Sequence, residues 1–239
     1  MPAKAGIHDL PSLQQRKSWI PAFAGMTRGW HRRADHSGGR SELRHYRWGS
    51  VRKDRALRKS KLEAAHTREA IVAGAADLIR RTGIAEASLA DVMAAAGLTH
   101  GGFYRHFRNK EHLVSEALSA AGEKAIATIG RNLTKGGVNG AIDSYLSKSH
   151  RDSPTPICPF AALGSEIARS GKATKAAATE VLEKLFVTLA VDAPDRDEAR
   201  GDAIVALSTM IGAMTLARVV ADSDLSSEIL DRAKDHLHR

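Results

Sequence analysis

Apolar residues recur at helical spacing along the chain beyond about residue 60, and no segment alternates as a strand would. Ile71, Ala75, Leu78 and Ile79 share one face and predict a helix from near Ala64 to Arg81. Gly83 stops it, with Arg80 and Arg81 suiting its negative end. Leu89, Val92, Met93 and Ala96 form the buried stripe of a short helix. Ser88 and Asp91 make a capping pattern at its start, and Gly97 ends it. Leu98 and Thr99 then lead into a second short helix over 100–107. Asn109 predicts the cap of a long helix from Lys110 to about Leu133, broken by Gly136 and Gly137. Further helices are expected over 138–150, 160–170, 172–191 and 196–222, and from 225 to the end. Pro154, Pro156 and Pro159 punctuate the loop around Cys158.

The first 50 residues lack this periodicity and carry Pro2, Pro11, Pro21 and the pair Gly38 and Gly39. They also change the meaning of the charge. The chain has a formal net charge of +9, which invites a nucleic-acid reading. Residues 1–65, however, hold 15 of the 36 Lys and Arg and only 5 of the 27 Asp and Glu. The remainder is close to neutral, so the basic balance belongs to the leader and says nothing of the folded part. Pro2-Ala-Lys-Ala-Gly6 and Pro21-Ala-Phe-Ala-Gly25 can be encoded by the two arms of one DNA inverted repeat. The expectation is that residues 1 to about 50 are translated repeat DNA or follow from a misplaced start, with Val51 a candidate GTG codon. The rival is a basic arm gripping phosphates. A secretory signal is expected less than either, since no apolar core of the required length follows a basic start.

Residues 88–107 read as helix, short turn, helix. A braced rod with a few exposed polar side chains is what reading bases in the major groove requires. The segment Leu98-Thr-His-Gly-Gly-Phe-Tyr-Arg-His-Phe-Arg-Asn-Lys-Glu-His112 resembles the recognition segment of the TetR family of bacterial repressors. Ser88-Leu-Ala-Asp-Val-Met-Ala-Ala-Ala-Gly97 and Thr67-Arg-Glu-Ala-Ile-Val72 fit the same pattern, so the resemblance covers about residues 66–126. More weakly, Cys158-Pro-Phe-Ala-Ala-Leu-Gly-Ser-Glu166 resembles one branch of that family. The expected fold is all-α: a basic leader over 1–61, disordered or partly helical; a helix-turn-helix DNA-binding domain over 62–112; and a helical ligand-binding and dimerisation domain over 113–239.

The residues carry a physical reading beside the resemblance. Thr99, at a helix start, suits a phosphate oxygen. His100 is free to reach a base edge. Gly101 and Gly102 cost about 1 kcal/mol each against alanine, so close approach to DNA explains them better than stability does. Tyr104 can donate to phosphate, and Lys110 with its helix N-terminus makes a second clamp. Ser88 caps its helix and can also touch phosphate across the groove. Arg105 reads guanine, binds phosphate or is merely solvated. His106 is a phosphate donor, as the resemblance implies, or a buried hydrogen-bonded residue. Phe103 and Phe107, four residues apart, are core. Because residues 66–112 hold 6 Lys and Arg against 5 Asp and Glu, the basic stretch 51–61 is a candidate arm on neighbouring phosphates.

One such unit reads too few base pairs, so a homodimer on double-stranded DNA is expected. Ile204, Leu207 and Ile211 on the penultimate helix and Ile229, Ala233 and Leu237 on the last are the candidate dimer residues, against the alternative of internal core. The resemblance implies a pocket for an unknown small-molecule effector. Phe160, Leu163, Ile167, Phe186, Met210 and Met214 are candidates for its lining, with plain core as the alternative. Cys158 suggests a thiol-based sensor only if it is exposed and its thiolate stabilised, and otherwise is a small apolar residue. One cysteine excludes a disulfide framework and a multi-cysteine zinc site. No metal, cofactor or enzymatic motif is found, and no membrane span is expected. The reading is a cytoplasmic repressor of a palindromic operator released by a ligand, with an architectural DNA-binding protein as the alternative.

Overall fold

The computed structural model describes residues 47–190 and 196–238, and every regular element among them is helical. The expectations for residues 1–46 lie outside the described residues.

The first helix, α1 (Arg47–Thr82), begins well before the expected Ala64. Its early turns carry no apolar stripe in the sequence, which is why periodicity placed the start later. Residues 60–66 are exposed, and among the described side chains Ile71 is the first that is buried. The basic stretch 51–61 is therefore helical. Gly83 ends α1 in the left-handed region (φ 94°), its N–H donating to the Ile79 carbonyl at 2.8 Å. Arg80 does more than face the helix end. It is buried and donates to the carbonyls of Ala76 (2.8 Å) and Pro156 (2.9 Å) while pairing with Asp77.

Next come α2 (Leu89–Ala95) and a 3-10 helix over His100–Arg105, joined at Gly97 (φ 70°). There the Leu98 N–H donates to the Met93 carbonyl and the Gly97 N–H to the Ala94 carbonyl, satisfying the last carbonyls of α2. Asn109 caps α3 (Lys110–Tyr145), which breaks at Gly136 and Gly137 as expected. The break is sharp. Asn132 donates to the Ser144 hydroxyl at 2.8 Å, although twelve residues of straight helix span about 18 Å. The chain therefore doubles back at the glycines.

A single turn, α4 (Lys148–Arg151), and the proline-rich loop lead into α5 (Pro159–Arg169). Proline at the first position of α5 removes a donor that a helix start leaves unpaired. The remaining elements are α6 (Lys172–Leu189), α7 (Arg196–Val219) and α8 (Ser223–Leu237), the last capped by Asp222. α3 packs along α6, and α7 lies against α5, α6 and α8. Gly122 allows the α3–α6 approach, since a Cβ there would stand 2.4 Å from Val181.

By length and composition alone, Asp197–Val219 is apolar enough to cross a membrane, with a mean hydropathy of 1.4. In the fold one side of α7 belongs to the core through Leu207, Met210 and Met214. The opposite side leaves Ile204, Val205, Leu216 and Val219 exposed. Of the expected dimer residues this corrects Leu207, which the subunit's own core covers. Ile204 faces outward, but Leu207 is fully buried, Ile211 is half-buried, and Ile229, Ala233 and Leu237 pack half-buried against the core.

Candidate nucleic-acid interface

The helix-turn-helix is built from its caps and its core. The Ser88 hydroxyl accepts from the Asp91 N–H at 3.1 Å and donates to the Asp91 carboxylate at 2.6 Å, fixing the start of α2. Phe103 and Phe107 are buried and stacked, with ring centroids 5.5 Å apart. Met93 and Val92 of α2 join the same core. The Arg68 guanidinium lies over the Phe107 ring at 4.9 Å and pairs with Glu116, which also meets His112 at 2.9 Å. The short rod is thus nailed down by its aromatic face.

Its other face is open. Ser88, Thr99, His100, Gly101, Tyr104 and Arg105 are exposed, Tyr104 to 67%. A Cβ on Gly101 would meet nothing within 4 Å, and one on Gly102 would touch only the end of Met93. His106 is half-buried, its ring tilted against Phe107, between the two readings the sequence left open. Lys110 departs from a free clamp: its ammonium donates to the Ala85 carbonyl at 3.1 Å, leaving two N–H groups for another acceptor. The nine expected contact residues therefore fall on or beside one short rod, most with their polar groups outward.

Three polar links tie this unit to the helices beyond it. The Glu166 carboxylate of α5 accepts from the N–H groups of Ile84 (2.8 Å) and Ala85 (3.0 Å). Arg80 holds the loop before α5 through Pro156. Glu111 accepts from the Ala173 N–H at the start of α6. Sequence reasoning assigned none of these links. Glu166 lay within the quoted 158–166 segment, but nothing in its spacing named a partner about 80 residues away.

The six expected pocket residues do not gather around one space. Phe160, Leu163, Ile167 and Met214 are packed in the core. Phe186 is half-buried beneath the Arg200 guanidinium, and Met210 borders a groove with Leu189 and Leu237. A separate small cavity lies between the two arms of α3, α6, α7 and the loop before α5, bordered by Tyr145, His150 and Cys158. Cys158 is 2% exposed, and burial pushes its thiol up, although the Tyr145 hydroxyl and the amides of Ala161 and Phe160 pull the other way. The exposure a thiol sensor needs is not met. Among the described residues no cluster of His, Cys, Asp and Glu could hold a metal ion.

Residues 71–117 match the profile described as bacterial regulatory proteins, tetR family. An uncharacterised HTH-type transcriptional regulator of Mycobacterium tuberculosis is 32% identical over 171 residues, covering 65% of this chain and 86% of the relative. The HTH-type transcriptional regulator TtgR of Pseudomonas putida is 39% identical over 67 residues, 28% of this chain and 32% of that regulator. The solved structure of a TetR transcriptional regulator from Chloroflexus aurantiacus is 28% identical, with a TM-score of 0.58, covering 73% of this chain and 93% of that one.

Proposed function

The chain belongs to the tetR family of bacterial regulatory proteins, and from that premise we propose that it is a homodimeric repressor of a palindromic operator, released by a small molecule. Each subunit lays its His100–Arg105 helix in the major groove. His100 and Arg105 face the base edges, and Thr99, Tyr104, Ser88, His106 and Lys110 hold phosphates. Residues 62–112 form the reading head, and residues 113–239 hold the effector and the partner subunit. The chain is a regulator rather than an enzyme and acts in the cytoplasm, where the chromosome is.

The observation that carries this reading is the two-sided rod. Its aromatic face is locked in the core, while its glycine-bearing face stands open with exposed polar side chains around it. A stability role explains the first face and leaves the second unexplained. The basic early turns of α1 extend the same unit and suit phosphates flanking the half-site.

Selection from random duplexes with the full-length protein tests it. The expected product is a palindrome whose half-sites lie about 34–36 Å apart, or a multiple of that. Recovery of sequences without two-fold symmetry sinks the dimeric operator reading.

A further inference from the structure

The cavity bordered by Tyr145 and His150 has a chemistry of its own. Ala125, Ile129, Leu185 and Leu207 form its apolar wall, and Ile157 and Cys158 close one side. Thr128, Asn132 and Ser144 also line it, but Thr128 already donates to the Lys124 carbonyl and Asn132 to the Ser144 hydroxyl. Tyr145 is 6% and His150 4% exposed, yet His150 Nε2 has no hydrogen-bond partner and the Tyr145 hydroxyl has no oxygen or nitrogen partner, its one polar neighbour being the weakly bonding Cys158 thiol. The tautomer of His150 follows from its neighbour. Nδ1 lies 2.7 Å from the Tyr145 carbonyl, which can only accept, so the proton sits on Nδ1 and Nε2 carries a lone pair. Burial holds the imidazole pKa down, opposed by that same hydrogen bond, and burial with the Cys158 thiol alongside pushes the Tyr145 phenol up. Both groups are neutral at pH 7, one an acceptor and one a donor. No Asp, Glu, Lys or Arg lines the space, and the nearby Arg218 guanidinium, whose charge is felt at Tyr145, His150 and Cys158, is committed to the His150 and Arg151 carbonyls, so a charged guest would find no direct ion-pair partner.

A single hydroxyl group meets both needs, donating to Nε2 and accepting from the phenol. We propose that this cavity is the effector site and that its ligand is a small neutral alcohol or phenol, with the hydroxyl held by Tyr145 and His150 and the hydrocarbon on the apolar wall. The assignment rests on the ligand-released reading above and supplies its chemistry.

The same geometry says how occupancy is felt. The space, about 20 Å³ measured as positions open to the centre of a water molecule, admits one or two waters. A guest with a carbon skeleton must move a wall. The wall without helical support is the loop carrying Ile157. Arg80 of α1 holds that loop by the Pro156 carbonyl at 2.9 Å, with the Ile157 carbonyl at 3.4 Å. α5, which follows the loop, grips Ile84 and Ala85 through Glu166. Widening the cavity therefore works against bonds that position the reading head. That is the unequal affinity for two conformations by which a ligand shifts a population.

The experiment is thermal unfolding of the full-length protein titrated with phenol, toluene or benzoate, followed by the same titration on the protein–operator complex. Phenol should raise the midpoint saturably. Toluene and benzoate should need about tenfold higher concentration or more, and the preference for phenol over toluene should collapse in Tyr145→Phe. Phenol should also dissociate the operator. A cavity that takes only water, showing no saturable shift with phenol, overturns the proposal. So does a preference for phenol over toluene that persists undiminished in Tyr145→Phe, or a saturating shift that leaves the operator bound. The unfolding readout needs no DNA, so it is judged apart from the operator selection. A missing palindrome beside a clear phenol shift sinks the dimeric operator reading, and the reverse pattern sinks the cavity assignment.

Discussion

Gly101 shows how a residue can be constrained by something outside its own subunit. It is not in the left-handed region, and a Cβ there would meet nothing within 4 Å. Nothing inside the fold asks for glycine. Gly83 is the opposite case: its φ is 94°, and a Cβ would stand 2.8 Å from a Glu166 carboxylate oxygen. Gly101→Ala should leave stability unchanged or raise it by up to about 1 kcal/mol, while operator affinity falls at least about tenfold. Urea unfolding and fluorescence anisotropy read the two sides. Unchanged affinity would remove close approach as the reason for this glycine. The contact residues were legible in the sequence because they sit on one short rod in a fixed order. Lys110 was only half legible, since its bond to the Ala85 carbonyl depends on how the turn before α2 is placed.

Helix positions were legible wherever a cap or glycine marks them: Ser88, Gly97, Asn109 and the Gly136 break all fall where expected. The start of α1 was not, because hydrophobic period is the main sequence signal for a helix and the sequence of its first turns carries none. The links between elements were equally silent. α5 looks like an ordinary amphipathic helix, yet Glu166 caps the turn of another unit. Glu166→Ala should leave the Ile84 and Ala85 amides without their acceptor and cost roughly 1–3 kcal/mol. It should also speed hydrogen exchange at those two amides. Exchange as slow as in the parent protein would mean that α5 does not brace the reading head.

For the whole molecule, the proposed dimer surface is the outer side of α7, where Val205, Leu216 and Val219 stand exposed, Val219 to 75%. Leu207 was expected there because it shares the apolar character of the helix, but it faces inward. Leu216→Asp should dissociate the dimer, seen by sedimentation, and weaken operator binding by about tenfold or more, because one subunit then grips one half-site. A variant that stays dimeric with full affinity would place the interface elsewhere. What the sequence determined alone was local: where helices stop, which segment is the rod, and which of its side chains are free. The three-dimensional packing decided which face of α7 looks outward, that Tyr145 and His150 meet at a cavity, and that Arg80 and Glu166 hold the reading head. Periodicity reports that a side chain is covered, not by what, and these partners lie 76 to 82 residues apart along the chain or on helices whose angles only packing sets.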